Sequence, residues 1–267
     1  MNNPMVKTLS AFLAALLCSV ALLGCRTEPA PPISLNLDQP NLAGDSEHLG
    51  QGLHQRTLAS AEGPPLRYTI NIPRDYDPSK PLPLVVALHF GGEAKPFYGK
   101  EMITELCRPA FLFWPAILVA PDGLPGDWKS AENEQVVLSI YEHITKHYNI
   151  DKDRTLLTGY RSGGDGAWYI AGRHQDLFKA AIPIASRPDQ SISDWNIPVY
   201  AIHPQSDDVV PIGPTKKYVT ELRKNGAKMR LMTTPNFPHN RTELYAQPLR
   251  NTLNWLESVW SETSSHP

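Results

Sequence analysis

The chain has 267 residues with 25 Lys and Arg against 27 Asp and Glu, which gives a formal net charge of −2. A near-neutral charge argues against nucleic acid as the main partner, and the length suits one domain or a large domain with an appendage. The nine histidines show no metal-ligand spacing such as H-E-x-x-H, so we predict neither a metal site nor a cofactor.

The first 24 residues are predicted to be an export signal and not part of the fold. Lys7 precedes an apolar run over residues 9–23, which is long for a signal core and short for a bilayer span of roughly 20 residues. The run ends in Leu-Leu-Gly-Cys at Cys25, which resembles a bacterial lipoprotein signal with its lipid-accepting cysteine. An ordinary secretory signal is the alternative. Either way we expect export to the cell envelope, with a lipid on Cys25 as the only membrane attachment.

Residues 25–52 are predicted to be an extended tether because they are rich in Pro, Asn, Asp and Gly and lack sustained periodicity. The folded domain is then 53–267. Once Cys18 leaves with the signal and Cys25 carries lipid, Cys107 remains, so an intramolecular disulfide is not possible. Cys107 lies in a helix-like apolar pattern, which predicts a buried small side chain and not a nucleophile.

The folded domain is predicted to alternate strands with helices. Residues 84–88 are continuously apolar, as in a strand buried on both faces, and residues 131–148 carry apolar side chains at helical spacing. The predicted strands are 66–72, 84–88, 116–120, 155–158, 180–185, 199–203 and 229–233, and the predicted helices are 98–106, 131–148, one beginning near Ala167, 215–224 and 249–260. This alternation predicts an α/β fold with a mostly parallel central sheet covered by helices on both faces.

The segment from Arg154 to Trp168 carries the main functional signal. A strand runs into a glycine-rich corner and then a helix, which is typical of a nucleophile elbow with the motif G-x-S-x-G. When Gly159 and Gly163 are taken as the two glycines of the motif, Arg161 stands at the apex and Ser162 is the next residue. The corner therefore has the elbow pattern without a hydroxyl at its apex.

Two more chemically useful groups follow later strands. Ligands of such sheets bind where the parallel strands end. Asp207, with Asp208 as the fallback, follows one predicted strand, and His239 follows the next. The order corner, acid, histidine is that of α/β-hydrolases. The loop after strand 84–88 is predicted to supply oxyanion-hole amides at Phe90 and Gly91.

Long segments match a known group of enzymes. They include R-Y-T-I-N-I-P-R-D-Y-D-P-S-K-P-L-P-L-V-V-A-L-H, Y-N-I-D-K-D-R-T-L-L-T-G-Y, G-G-D-G-A-W and D-L-F-K-A-A-I-P-I-A. Over roughly residues 65–260 the chain resembles bacterial α/β-hydrolase esterases related to polyhydroxybutyrate depolymerases and feruloyl or acetyl-xylan esterases. The resemblance implies the α/β-hydrolase fold and a small ester or carbohydrate-ester ligand. It also implies Asp207 as the triad acid and His239 as the base.

The chain departs from that family at two of its functional elements. Phe90 stands where the family usually has glycine, and Arg161 stands at the nucleophile position. In the first hypothesis Ser162 takes over as nucleophile of a serine esterase. One argument against this hypothesis is the position of Tyr160. It would lie two residues before the nucleophile, where strand and helix normally pack too closely for a large side chain. A one-residue shift also turns the side chain by roughly 100°.

In the second hypothesis the fold is kept and serine catalysis is lost. A guanidinium stays protonated and cannot attack an acyl carbon, but it can pair with Asp207 or Asp165 or bind an anion. The protein would then be a non-catalytic, envelope-associated binding protein that uses the former active-site cleft. A prolyl-oligopeptidase-like serine peptidase is a further alternative, because such enzymes share these motifs.

Several conspicuous residues elsewhere are predicted to be structural. These are the histidines and the acid that follow strands (His89, His203 and Asp122) and three tryptophans expected in the core or pocket wall (Trp168, Trp195 and Trp255).

Overall fold

The computed structural model describes residues 49–60, 63–91, 95–238 and 240–264. The predicted signal, Cys25, most of the predicted tether and His239 lie outside the described residues. Within these ranges, none of the helices has the length and apolar character needed to cross a bilayer.

The described chain forms one eight-stranded sheet in the order β1-β2-β4-β3-β5-β6-β7-β8. The strands are β1 (Gly52–Leu58), β2 (Leu66–Ile72), β3 (Leu82–Leu88), β4 (Ile117–Pro121), β5 (Ile150–Tyr160), β6 (Ala180–Ile184), β7 (Val199–Pro204) and β8 (Met229–Thr234). Strand β2 runs antiparallel to both of its neighbours, β1 and β4, and the strands from β4 through β3 to β8 are parallel.

Helices cover both faces of the sheet. They are α1 (Gly99–Glu101), α2 (Arg108–Ala110), α3 (Ala131–His147), α4 (Ser162–Arg173), α5 (Gly213–Lys224), α6 (Ala246–Arg250) and α7 (Leu253–Ser264), with a π-helical segment Met102–Cys107 and a 3₁₀ segment Thr242–Tyr245. Alternate residues of β3 enter different cores. Leu84 and Val86 pack into one hydrophobic cluster, and Val85 and Ala87 into the other. The predicted fold class is confirmed, and residues 49–264 contain the whole sheet with both cores.

The structure differs from the predicted elements in several places. The predicted helix 98–106 continues to Ala110 and includes the π-helical segment, and the predicted helix 249–260 is divided into α6 and α7. Strand β1 was not predicted, because Gly52–Leu58 is a half-exposed edge strand without apolar alternation. Strand β5 begins at Ile150, ahead of the predicted 155, and this extension was missed because residues 151–154 are all charged and none is buried. Helix α4 begins at Ser162 and not near Ala167, because the glycines of this segment are helical and let it approach the sheet closely.

The side chain of Cys107 is fully buried in the second core, which confirms its predicted structural role. Burial raises the pKa of this thiol to about 12. In a chain that starts at Arg26, Cys107 is the remaining cysteine. We expect it to react with an aromatic disulfide reagent at least about 100-fold more slowly than a free thiol, because the thiolate is the reacting form. Rapid labelling of one thiol in the native protein would contradict the buried placement. Denaturant should restore full reaction.

Candidate functional site

The elbow lies at the carboxyl edge of the parallel strands. Strand β5 ends at Tyr160 and α4 begins at Ser162, so Arg161 alone makes the turn. Its φ is 56° and its ψ is −120°. Positive φ is strained for a residue with a Cβ, and such strain is characteristic of the sharp turn in a nucleophile elbow. The structure thus places Arg161, and not Ser162, at the apex.

Backbone contacts explain why this turn requires glycine on both sides. The Arg161 N–H donates to the Ile184 carbonyl at 3.0 Å. A Cβ on Gly159 would lie 2.1 Å from the Gly163 carbonyl oxygen, and one on Gly163 would lie 2.1 Å from the Leu88 carbonyl oxygen. These distances leave no room for a side chain. At the elbow, β3, β5 and α4 therefore contact one another through backbone atoms.

The Arg161 side chain is partly exposed at this edge. Burial raises the pKa of the Tyr98 and Tyr160 hydroxyls, and the positive charge of Arg161 opposes that rise at both. Across the described residues, the Arg161 guanidinium forms neither a hydrogen bond nor an ion pair. Among the residues that the structure describes, its charge therefore has no counter-ion.

The predicted pairing of Arg161 with Asp207 or Asp165 is wrong. Asp165 Oδ1 instead accepts a hydrogen bond from the Arg187 backbone N–H at 2.6 Å. Helical spacing does not apply to Arg161, because it lies outside the helix with φ at 56°. Asp207 is turned towards its own loop, as described next.

Asp207 is 8 % exposed and is held by its own loop. Its Oδ1 accepts the backbone N–H groups of Val209 at 2.9 Å and Val210 at 2.7 Å. Its Oδ2 lies 3.9 Å from His203 Nε2, which donates to the Val210 carbonyl at 2.8 Å. Asp208 is exposed. Of the two acids, Asp207 is the one whose carboxylate is held by backbone N–H groups, and its role as the triad acid paired with His239 stays a prediction. His203 has the structural role expected of it.

Ser162 is the first residue of α4, and its hydroxyl lies beside Gly91. A Cβ added to Gly91 would lie 3.1 Å from Ser162 Oγ, so the hydroxyl faces the loop after β3. Within the described part of the chain this buried oxygen has no hydrogen-bond partner. Its relation to His239 lies outside the described residues. The role of Ser162 as nucleophile therefore stays a prediction.

Hydrogen bonds of His89 hold the loop after β3 against the loop after β4. Its Nδ1 donates to the Phe90 carbonyl at 2.8 Å, and its Nε2 accepts the Gly123 N–H at 3.0 Å. Trp128 Nε1 donates to the His89 carbonyl at 2.8 Å. The structural role expected of His89 is thus confirmed. The amides of Phe90 and Gly91 lie on this fastened loop, and their role as oxyanion donors stays a prediction.

Asp122 does more than make the turn that was predicted for it. Its carboxylate accepts the backbone N–H groups of Phe97 at 2.5 Å and Gly99 at 3.1 Å. It therefore fixes the start of α1 beside the elbow. Sequence reasoning missed this role because the partners are backbone groups about 25 residues away along the chain.

Aromatic rings line the edge beside Arg161, and sequence reasoning did not group them. Phe90 packs edge-on against Tyr160 at 6.0 Å between ring centroids, Tyr160 lies 5.1 Å from Tyr245, and Phe237 lies 5.3 Å from Tyr245. Next to them is an open cavity of about 410 Å³, lined by Ser206, Asp207, Asp208, Val209, Asn236, Phe237 and Pro238. The predicted tryptophans are core residues, as expected.

The described residues also contain no group of three or more His, Cys, Asp or Glu side chains placed to hold a metal ion. The described part of the site comprises the Arg161 guanidinium and the Ser162 hydroxyl, neither with a described partner, together with the fixed Asp207 carboxylate and a group of aromatic rings.

Comparison with known proteins agrees with this architecture. The model of the dienelactone hydrolase family matches residues 126–256. The chain is 26% identical over 220 residues to a probable feruloyl esterase C from Aspergillus niger, with 76% of each chain covered.

Solved structures show the same fold. A thermostable esterase superposes with a TM-score of 0.67 at 24% identity, covering 77% of this chain and 62% of its own. A putative dipeptidyl aminopeptidase IV from Bacteroides ovatus superposes with a TM-score of 0.62 at 15% identity, covering 78% and 36%. The chain thus spans less than two thirds of either solved structure. Sheet order, elbow and sequence similarity lead to one conclusion: the chain has the α/β-hydrolase fold and is similar in sequence to esterases of that fold.

Proposed function

We propose that this protein binds a carboxylate-bearing ligand at the elbow and does not hydrolyse esters there. The observation that carries the proposal is the position of Arg161 at the apex, with φ at 56° and no counter-ion among the described residues. An elbow directs its apex side chain to the point where an esterase attacks its acyl carbon.

Arginine at this point changes the chemistry from attack to binding. The guanidinium remains protonated and has N–H donors but no lone pair to offer an acyl carbon. Those donors match the two oxygens of a carboxylate, which is the group that ester hydrolysis leaves on the acid. The ligand is therefore expected to resemble the acid product of an esterase and not its ester substrate.

The wall of aromatic rings favours an acid that itself carries a ring. The rings of Phe90 and Phe237 are partly exposed and can pack against a planar ligand, while the fully buried rings of Tyr160 and Tyr245 support them from the core. The feruloyl esterases to which the chain is similar are named for an ester of an aromatic acid. Ferulate is thus a suitable first probe.

A serine esterase that uses Ser162, His239 and Asp207 is the second candidate. The buried Ser162 hydroxyl has no partner among the described residues, which favours it. Its position one residue after the apex opposes it, because an elbow directs the apex side chain, and not the first helical side chain, towards the acyl carbon. A serine peptidase would meet the same obstacle.

We also propose an envelope location for the protein, supported by the Leu-Leu-Gly-Cys sequence at Cys25. The ligand would then be met outside the cytoplasm.

Ferulate and methyl ferulate distinguish the two candidates by calorimetric titration. We expect the acid to bind at least about tenfold more tightly than the ester, since hydrogen bonds to a charged group are worth about 1.5–3 kcal/mol. Arg161→Gln should remove that preference. The matched control is Arg230→Gln, which neutralises an exposed arginine at the opposite edge of the sheet. Equal binding of acid and ester by the wild type, or turnover of the ester, would contradict the proposal.

A further inference from the structure

A second surface lies at the opposite edge of the sheet, where the parallel strands begin. Gly52 of β1 pairs with Ile72 of β2, and Asn71 pairs with Leu118 near the start of β4. The elbow is at the other edge, because Gly159 pairs with Leu88 at the end of β3. This surface and the binding site therefore face opposite directions.

The surface holds the most exposed large apolar side chains of the described chain. Phe113 is 88 % exposed and Leu112 is 65 % exposed, on the turn between α2 and β4. Trp114 next to them is held in place, since its Nε1 donates to Glu257 Oε1 at 2.6 Å and its ring stacks on Trp260. Two exposed apolar residues in succession on an anchored turn have no role within this domain.

An open cavity of about 560 Å³ lies beside this turn. Its charged lining residues are Arg74, Arg108 and Asp75, all exposed. Neither arginine forms an ion pair within the described chain. Unpaired arginines flanking exposed aromatic and aliphatic side chains are typical of surfaces that bind anionic lipid headgroups while apolar side chains enter the interface.

We propose that this surface, defined by Arg74, Arg108, Leu112 and Phe113, contacts an anionic bilayer. The path of the chain supports the proposal, because Gln51 and Gly52, near the first described residue, line the same cavity. A lipid on Cys25, as predicted, would approach the domain at this edge. Contact here turns the elbow edge away from the membrane, so that Arg161 is open to ligands in solution. The inference does not depend on the ligand proposed for Arg161.

The test is sedimentation of the chain from Arg26 with vesicles of phosphatidylcholine alone or mixed with phosphatidylglycerol. This form retains the complete sheet and both cores and carries no lipid, so that only the protein surface contributes to binding. We expect binding to the mixed vesicles and not to phosphatidylcholine alone. The binding should weaken as salt is raised, because salt screens the attraction to the headgroups.

Two sets of variants separate the two parts of the contact. Leu112→Ser with Phe113→Ser should lower vesicle binding by about tenfold, and Arg74→Gln with Arg108→Gln should lower it by about fivefold for each arginine. All four side chains are exposed, so circular dichroism should be unchanged. Val209→Ser is the matched control, because Val209 is a 52 % exposed apolar residue at the elbow edge.

Three results would overturn the proposal. They are absence of binding by the wild type, unchanged binding by both sets of variants, and conversion of a dimer to a monomer by the Leu112 and Phe113 changes without loss of vesicle binding. The last result would identify the surface as a contact between copies of the chain.

Discussion

Arg161→Ser is expected to give this protein esterase activity that, under the proposed function, the wild type lacks. The substitution places a hydroxyl at the apex, where φ of 56° already presents the side chain as an esterase presents its nucleophile. Members of a catalytic triad act as a unit, and loss of one costs several orders of magnitude in rate. Restoring the missing member should raise kcat/KM for a small aryl ester by at least about 100-fold over wild type.

The controls determine whether a gain reflects a restored triad. Arg161→Ala opens the same space without a hydroxyl and should remain inactive. Asp207→Asn added to Arg161→Ser should remove most of the gain, because Asp207 is the fixed carboxylate of the site. A fluorophosphonate probe should label Arg161→Ser and leave wild type unlabelled.

The opposite outcome has an equally clear signature. Labelling of wild type that disappears in Ser162→Ala would establish Ser162 as the nucleophile. The absence of any gain from Arg161→Ser in a folded protein would count against a triad that lacks only its hydroxyl. In both cases the ferulate titration measures independently whether Arg161 binds a carboxylate.

The elbow could be predicted from sequence because its constraints are local. Gly159 and Gly163 are four residues apart, and a Cβ on either one would lie 2.1 Å from a backbone carbonyl oxygen. The same short segment therefore encodes both the turn and the glycines that the turn requires. The buried strands were predictable for a similar reason. A strand covered on both faces must be apolar throughout, as Leu84–Leu88 shows.

Contacts between distant segments were not predictable from sequence alone. Phe90, Tyr160, Phe237 and Tyr245 form one aromatic wall, but they belong to different loops and elements. That Arg161 pairs with neither Asp165 nor Asp207 has the same origin. The sequence contains two carboxylates that could pair with Arg161, those of Asp165 and Asp207. Only the structure shows that each of them accepts a hydrogen bond from a backbone N–H group.

Gly163→Ala is expected to be strongly destabilising, because the added methyl group would enter the contact between α4 and β3. The added Cβ would lie 2.1 Å from the Leu88 carbonyl oxygen and 2.6 Å from the His89 carbonyl oxygen. Both oxygens belong to backbone that cannot rotate aside, so α4 must move away from β3 and disturb the packing around the apex. We expect a loss of about 3 kcal/mol in the free energy of unfolding, at the upper end of the range for overpacking.

Thermal and urea unfolding measure this loss, with Tm falling by roughly 6–12 °C for a domain of this size. Gly213→Ala is the matched control, since nothing lies within 4 Å of a Cβ at that position. It should be neutral or stabilising by up to about 1 kcal/mol, because alanine restricts the unfolded chain. Equal stability of the two variants would mean that α4 and β3 are not in backbone contact. The elbow would then lack the support that presents Arg161, and the carboxylate site would lose its structural basis.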